Sequence, residues 1–241
     1  MNTNKLQVFV FAMLFVVGAF TGCVDEDDET TTDNSIKIGF LNPITGPLEP
    51  DAAGFKWGAD QAISDLAKMY PDETFKLIEL DSGCSGDVAG PAAQTLVDSG
   101  VVAVVGAACS GASMSANAVL AAAGIPMISY ASTNPGLSDE AKYPHFYRNV
   151  PSDAIQGPAG AAMMADAGVT NESLAILHMT NDYGSGLADS IKGAWEEDGK
   201  LCSAGMQGYE ETTTNFDAMV ANVTGASDCN AVYLSSYITD A

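Results

Sequence analysis

The sequence predicts an α/β protein with two doubly wound parallel-sheet lobes, one in each half of the chain, joined by a hinge. From residue 36 onward, short apolar runs typical of strands alternate with longer segments that have helical periodicity. The run 101–105 is apolar throughout, which is typical of a strand covered on both faces. Strands that alternate with helices form parallel sheets through right-handed crossovers, so each half is predicted to be one lobe.

Lobe one is predicted to occupy residues 36–150. Its first helix is indicated by Phe55, Ala59 and Ile63, which share one side of the segment 52–69. Its second helix is indicated by Asp87 as an N-terminal cap and by Gly100 just after its end. The predicted strands are 36–41, 75–80, 101–105 and 126–130, and the predicted helices are 52–69, 87–97 and 112–123.

Lobe two is predicted to occupy residues 151–241, because the alternation breaks at residues 149–152 and then resumes. A parallel sheet of three strands buries little apolar surface. We therefore expect this lobe to be incomplete, either because the chain is a fragment or because a further part completes both lobes. The predicted helices are 153–167, 186–197 and 215–223, and the predicted strands are 173–179, 201–209 and 231–235.

The first 23 residues are predicted to be a lipoprotein-type signal peptide that directs export. Lys5 supplies a positive charge, residues 6–20 form an apolar stretch shorter than a membrane span, and small residues precede Cys23. The run FTGC (20–23) resembles a lipobox, which implies lipidation of Cys23; an ordinary cleaved signal with an incidental cysteine is the alternative. Residues 24–35 are acidic and are predicted to be a tether, since their spacing matches no calcium loop.

The charge of the chain excludes several classes of partner. Acidic residues number 31 and basic residues 9, which gives a net charge of −22. Such a surface repels phosphate backbones, so nucleic-acid binding is not expected. It also repels anionic lipid, so attachment to a membrane should come from a lipid anchor and not from a basic patch.

Polar residues that follow two predicted strands are candidate ligand contacts, because ligands of open parallel sheets bind beyond the carboxyl ends of the strands. Ser110 lies at a helix start, where unpaired N–H groups favour a carboxylate. Thr133 offers a hydroxyl, and the carbonyl of Ala131 offers an acceptor for an ammonium. The two strands should be neighbours, so both loops should face one crevice. The alternatives are a plain N-cap for Ser110 and a turn residue for Thr133.

Two tyrosines follow strands of lobe two in the same way. Tyr183 lies before a glycine-rich turn and Tyr237 follows the last strand, so each can close over a ligand or can be a half-buried structural residue. Enzyme chemistry is not indicated, because His145 and His178 accompany no nucleophile elbow, paired carboxylates or metal signature. We expect no catalytic residue, no cofactor and no metal.

The cysteines suit an exported protein, in which disulfides are permitted. Four remain once Cys23 is assigned to lipidation: Cys84, Cys109, Cys202 and Cys229. Cys202 and Cys229 lie at the amino ends of strands with another strand expected between them. A bridge there needs the flanking loops to reach across, and free buried thiols are the alternative.

Six pieces of the chain together resemble the branched-chain amino-acid binding family, which has the type I periplasmic binding protein fold. They are IGFLNPITGP (38–47), the Cys84/Cys109 pair, GAACSG (106–111), PMISYASTNP (126–135), QGP (156–158) and NDYGSGL (181–187). The resemblance covers essentially all of the chain after the leader. It implies a substrate-binding protein of an ABC importer that captures an amino acid in the cleft between the lobes.

The resemblance also implies roles for individual residues. It implies a Cys84–Cys109 disulfide beside the ligand loop, and Ser110, Ala131 and Thr133 as contacts of the ligand's carboxylate and ammonium. Tyr183 and Tyr237 stand where aromatic residues of lobe two line the cleft. Asp51 falls where relatives carry an aromatic residue, and Ala108 leaves a roomier side-chain pocket, so an amino acid is better supported than leucine in particular.

The family pairs the ligand's ammonium with an acid that should lie beyond residue 241. The partners implied are an amino-acid ligand, the permease subunits and, through the anchor, the outer face of the cell membrane, either periplasmic or extracellular. Two alternatives stay open: a sensory receptor domain of the same fold, and a binder of an amide, a urea or another small carboxylate. An enzyme would need catalytic residues outside this sequence.

Overall fold

A computed structural model describes residues 33–197 and 199–237. The predicted signal peptide, Cys23 and tether residues 24–32 lie outside the described residues. Among the helices that are described, none is both long and apolar enough to cross a membrane.

Lobe one is built on a parallel sheet of five strands in the order β2-β1-β3-β4-β5. The chain leaves β1 for β2 on one side and then crosses to β3 on the other, so the order reverses beside β1, where ligands of such sheets bind. The strands are β1 (Ile36–Asn42), β2 (Phe75–Asp81), β3 (Ala103–Val105), β4 (Met127–Ser129) and β5 (Phe146–Arg148), and the helices are α1 (Ala52–Met69), α2 (Gly86–Asp98) and α3 (Ser110–Ala122).

Helices cover both faces of this sheet, as the apolar strands predict. Gly39 of β1 faces α2, where an added Cβ would lie 2.8 Å from Leu96 Cδ1, so α2 packs closely against the strand. Phe40, the next residue, points to the opposite face and borders a cavity beside α1. The core between the sheet and helices α2 and α3 is built from Leu41, Val104, Leu120 and many alanines.

Lobe two has a three-stranded parallel sheet in the order β7-β6-β8. Leu174 and Ile176 of the central strand pack on two helices, and Ala175 faces the other side. A Cβ on Gly157 would lie 2.6 Å from the backbone of Ser190, so those two helices cross closely. The elements are α4 (Asp153–Asp166), β6 (Leu174–Met179), α5 (Asp182–Glu196), β7 (Leu201–Tyr209), α6 (Asp217–Gly225) and β8 (Ala231–Ser235).

Three local features differ from the sequence prediction. Strand β5 was not predicted. Helix α5 begins at Asp182 and not at residue 186, because Asn181 caps it by accepting a hydrogen bond from the N–H of Gly184. Helix α2 is capped by Ser85, whose hydroxyl accepts from the N–H of Asp87, so Asp87 is not itself the cap.

Both candidate cysteine pairs are disulfides. Cys84 and Cys109 are bridged with their Cα atoms 5.1 Å apart, and Cys202 and Cys229 are bridged with their Cα atoms 5.2 Å apart. The second bridge does span the amino end of β6, as the strand order requires. It packs on Ala175 of that strand, whose small side chain leaves room for it.

Candidate functional site

A cavity of about 200 Å³ lies where the carboxyl ends of the lobe-one strands face lobe two. Its position follows from the parallel sheet, because every loop after a strand emerges at the same edge. Six of the seven residues predicted to contact a ligand line it. The lining consists of Leu48, Ala108, Cys109, Ser110, Ala131, Thr133, Gln156, Tyr183 and Tyr237.

Asp51 is the predicted residue that does not line this cavity. It ends a short 3-10 helix, Glu49–Asp51, and is exposed. Leu48, which directly precedes that helix, lines the cavity instead. In the segment after the Gly-Pro turn, the apolar side chain of Leu48 therefore faces the cavity, and the carboxylate of Asp51 does not.

Ser110 is the first residue of α3 and is 1% exposed. The N-cap of the helix is Cys109, so the alternative role of Ser110 as a plain N-cap is not what the structure has. The Ser110 hydroxyl oxygen accepts a hydrogen bond from the N–H of Asn134 at 3.2 Å. A hydroxyl has one proton to donate, and this arrangement leaves that proton available to an acceptor in the cavity.

Three buried serines fix the two loops that carry Ser110 and Thr133. Ser129 donates to the carbonyl of Ala107 at 2.6 Å, and the hydroxyl oxygens of Ser113 and Ser132 each lie 3.2 Å from the same carbonyl oxygen. Ser113 and Ser132 lie 2.8 Å apart, and because each hydroxyl has one proton, one of them donates to the other while the other donates to a carbonyl. Because these side chains come from α3, β4 and the loop after β4, this serine network holds the cavity walls of lobe one in a fixed relation.

Asp153 is a buried acid beside Thr133 that the sequence analysis did not single out. It is 0% exposed, and its N–H donates to the carbonyl of Thr133 at 2.9 Å. The Thr133 hydroxyl is the hydrogen-bond donor that acts on the Asp153 carboxylate, and within the described residues no other hydrogen-bond partner of either group is found. This pair leaves lone pairs on its buried oxygens without donors, so it is suited to a cation.

Burial raises the pKa of Asp153 above its ordinary value of 3.8, against opposing effects of the Thr133 hydroxyl and the Arg148 guanidinium. Arg148 is itself engaged, since it donates to the carbonyls of Ser132 and Asn134. The only sequence signal at Asp153 was an acid in the first turn of a helix, which is common on exposed helices. Its burial comes from tertiary contacts.

Tyr183 and Tyr237 form the lobe-two wall of the cavity. Their rings stack with centroids 5.2 Å apart and planes 9° from parallel. Burial raises the pKa of both phenols, and the charge of Asp153 adds to the effect on Tyr183. The Tyr237 hydroxyl lies 3.5 Å from Sγ of Cys84, so the wall reaches the disulfide of lobe one.

A larger cavity of about 520 Å³ lies between α1 and the lobe-one sheet. Among the described residues that line it none is charged, so it offers nothing to fix a charged ligand. His178 is buried in β6 with Nδ1 2.8 Å from the carbonyl of Met179, which fits a structural role. No group of three or more His, Cys, Asp or Glu side chains in the described part of the chain could hold a metal ion.

Comparisons with known proteins agree with the fold. The family described as "Periplasmic binding protein" matches residues 35–241. The chain is 27% identical over 206 residues to the leucine-, isoleucine-, valine-, threonine- and alanine-binding protein of Pseudomonas aeruginosa, covering 85% of this chain and 54% of that relative. It is 30% identical over 159 residues to metabotropic glutamate receptor-like protein E of Dictyostelium discoideum, covering 66% of this chain and 19% of the receptor.

A solved structure shows the same fold. The branched-chain amino acid transporter substrate-binding protein LivJ of Streptococcus pneumoniae, in complex with isoleucine, superposes with a TM-score of 0.72 at 24% identity. The match covers 83% of this chain and 56% of that structure. The chain thus spans about half the length of the relatives that bind branched-chain amino acids.

Proposed function

The chain belongs to the periplasmic binding protein family, and from this premise we propose that it captures an amino acid outside the cytoplasm for an ABC importer. The observation that carries the proposal is the pairing of opposite chemistries at one cavity. Ser110 offers a hydroxyl proton for a carboxylate, and Thr133 with the buried Asp153 offers oxygens for an ammonium. An α-amino acid carries both groups on adjacent atoms.

The α-carboxylate is held by the Ser110 hydroxyl and by the N–H groups that begin α3, which the helix leaves without partners. The α-ammonium is held by the carbonyl of Ala131 and the hydroxyl of Thr133. That hydroxyl accepts from the ammonium with one lone pair and donates its proton to Asp153 behind it. Asp153 does not line the cavity, so its negative charge acts on the ammonium through Thr133.

The side chain of the ligand lies among Leu48, Ala108, Tyr183 and Tyr237, which are apolar or aromatic. Similarity to proteins that bind leucine, isoleucine and valine supports an aliphatic amino acid. The absence of an acid or a base from this wall, among the described lining residues, fits that class. An amide, a urea or another small carboxylate would leave part of the Ser110–Asp153 arrangement unmatched.

Delivery of the amino acid to the importer requires the protein to be exported and held at the membrane. In this proposal residues 1–23 are a signal peptide, Cys23 carries a lipid and residues 24–35 are an acidic tether. Its lobes, 36–150 and 151–241, close on the ligand, and the closed form docks on permease subunits. Mass spectrometry of the mature N-terminus tests the anchor: lipidated Cys23 is expected, and an unmodified residue or another start would contradict it.

A calorimetric screen of the full-length exported protein tests the ligand class. The twenty amino acids are titrated, together with acetamide, urea and 4-methylpentanoate, which is leucine without its ammonium. Binding of one or more aliphatic amino acids, with weaker binding of 4-methylpentanoate, is expected. Binding of only the amide, the urea or the carboxylate, or a catalysed change in any of them, would contradict the proposal.

A sensory role is the second candidate, because a receptor-like protein is among the relatives. Uptake separates the two roles. Cells that lack the gene should lose high-affinity uptake of the radiolabelled ligand if the protein serves an importer. Unchanged uptake together with a lost transcriptional or motile response to the same ligand would favour sensing.

A further inference from the structure

Asn134 contacts both the proposed carboxylate site and the opposite lobe. It follows Thr133 in lobe one, and its N–H donates to the Ser110 hydroxyl oxygen. Its side-chain nitrogen donates to the main-chain carbonyl of Asp182 in lobe two at 2.5 Å. Its side-chain oxygen accepts from the N–H of Gly136 at 2.7 Å and so caps a short 3-10 helix within lobe one. One side chain therefore has a local role and a separate role between the lobes.

Two glycines make room for this contact. A Cβ on Gly186 of lobe two would lie 2.5 Å from Nδ2 of Asn134, and a Cβ on Gly111 of lobe one would lie 2.6 Å from Oδ2 of Asp182. Both glycines lie inside helices, where alanine is the more stable residue. A side chain at either position would therefore have to displace the end of a side chain from the opposite lobe.

We propose that Asn134 is a positioning residue that couples ligand binding at Ser110 to closure of the two lobes. We call Asn134, Asp182, Gly111 and Gly186 the Asn134 clasp. The proposal deepens the proposed function and rests on it for the ligand. Release requires the lobes to separate and the clasp to break, so the clasp slows dissociation. Entry also requires separated lobes, so loss of the clasp should affect the association rate as well, but to a smaller extent.

The first test separates the clasp from the local cap. Asn134→Ser keeps a side-chain oxygen near the N–H of Gly136 and removes the donor that reaches Asp182. With L-leucine as the probe in stopped-flow fluorescence, we expect the dissociation rate to rise about tenfold, with an association rate within about twofold of the original. Asn215→Ser is the matched control. Asn215 likewise accepts from the N–H two residues on, that of Asp217 at 2.8 Å, but within lobe two.

A double-mutant cycle tests the close approach independently. Gly186→Ala should raise the dissociation rate because its Cβ would displace the Asn134 amide that donates to the Asp182 carbonyl. In Asn134→Ser, which lacks that amide, the same Gly186→Ala change should add little. Equal effects of Gly186→Ala with and without Asn134→Ser would mean that the defect lies within lobe two and would overturn this part of the proposal.

A readout without ligand distinguishes failure of the clasp from failure of the proposed function. Spin labels on Glu140→Cys in lobe one and Asp189→Cys in lobe two, both exposed positions, report the separation of the lobes. The four cysteines in the described lobes are bridged and do not react with the label. The distance distribution by electron paramagnetic resonance should shift to longer values in Asn134→Ser and not in Asn215→Ser.

The outcomes are distinct. If no amino acid binds the unmodified protein, the proposed function fails, and the label distances alone decide whether the clasp holds the lobes together. If L-leucine binds and Asn134→Ser changes neither the dissociation rate nor the distances, the clasp is wrong and the proposed function stands. Melting curves by circular dichroism confirm that each variant is folded.

Discussion

The two lobes contribute different chemistry to the same cavity. Lobe one provides the directional groups, Ser110, Ala131 and Thr133, and holds them with the serine network around the carbonyl of Ala107. Lobe two provides the stacked Tyr183 and Tyr237. Hydrogen bonds require fixed geometry, whereas an aromatic wall excludes water over a broad area. The difference suggests that lobe one recognises the ends of the ligand and that lobe two encloses it.

Removal of either disulfide is the change with the largest expected effect on stability, and it tests whether the two lobes have different roles in binding. They close loops of similar length, with sequence separations of 25 and 27 residues. Replacing Cys84 and Cys109 together by serine, or Cys202 and Cys229 together, should lower the free energy of unfolding by about 3 kcal/mol in each case. Only the first pair touches the cavity, so only its loss should also weaken L-leucine binding. Calorimetry and urea denaturation measure both; equal loss of affinity in the two variants would contradict the division.

Loss of a hydroxyl group at Ser110 or Thr133 in lobe one is the change with the next largest expected effect. Ser110→Ala and Thr133→Ala should each weaken L-leucine binding by about 1–3 kcal/mol, on the order of 10- to 100-fold in Kd, because each loses a hydrogen bond to a charged group. Ser99→Ala and Thr224→Ala remove hydroxyls that bond only to their own helices and serve as controls. An unchanged Kd in both site variants would show that Ser110 and Thr133 do not contact the ligand.

Asp153 should show opposite effects on stability and on binding. At neutral pH desolvation of the buried carboxylate outweighs the help it receives from the Thr133 hydroxyl and from Arg148, so Asp153→Asn should raise the free energy of unfolding by about 1 kcal/mol. The same change should weaken L-leucine binding and leave 4-methylpentanoate binding unchanged, since only leucine has an ammonium. Asp166→Asn, at the exposed end of the same helix, is the control for loss of one negative charge.

The raised pKa of Asp153 gives this prediction a pH dependence with a definite sign. As the pH falls through the raised pKa, the carboxylate gains a proton and its attraction for an ammonium is lost. L-leucine affinity should therefore decline with acidity at a higher pH than an ordinary aspartate would cause, and it should not do so in Asp153→Asn. In the ligand-free protein the penalty for the buried charge disappears over the same range.

The smallest effect should come from the hydroxyl of Tyr237. Tyr237→Phe keeps the stack with Tyr183 and removes the contacts of the hydroxyl with Sγ of Cys84 and with the Asn181 side chain. We expect L-leucine affinity to fall by less than about 1 kcal/mol, because a sulfur is a weak acceptor. Tyr237→Ala, which also removes the ring, should cost more. A Phe variant as weak as the Ala variant would mean that the wall acts through its hydroxyl and not through its apolar area.

The sequence predicted the fold well where burial follows local pattern. Strands such as β6 are apolar runs, and their alternation with helices gave the parallel sheets. Strand β5 was missed because it has three residues and half-exposed side chains. The start of α5 was missed because Gly184 and Gly186 resemble a turn. Gly184 is instead required by packing, since a Cβ there would meet the carbonyl of Met179.

The candidate site divides in the same way. Ser110 and Thr133 could be found because position after a parallel strand is a local property that implies a place in space. Asp153 could not, because nothing in its neighbours along the chain reports that it is buried behind Thr133. The Cys202–Cys229 bridge was left open for a related reason: the small side chain of Ala175 beneath it matters only once the strands are assembled.

The serine network has a practical consequence for re-engineering this protein as a biosensor. In the proposed site its hydroxyls position the groups that would take the two charged ends shared by all α-amino acids, whereas Leu48 and Ala108 line the part of the cavity proposed for the variable side chain. A library confined to those two positions would leave Ser113, Ser129 and Ser132 untouched. We expect variants from such a library to fold and to bind the carboxylate and ammonium of an amino acid, but with a preference for a different side chain.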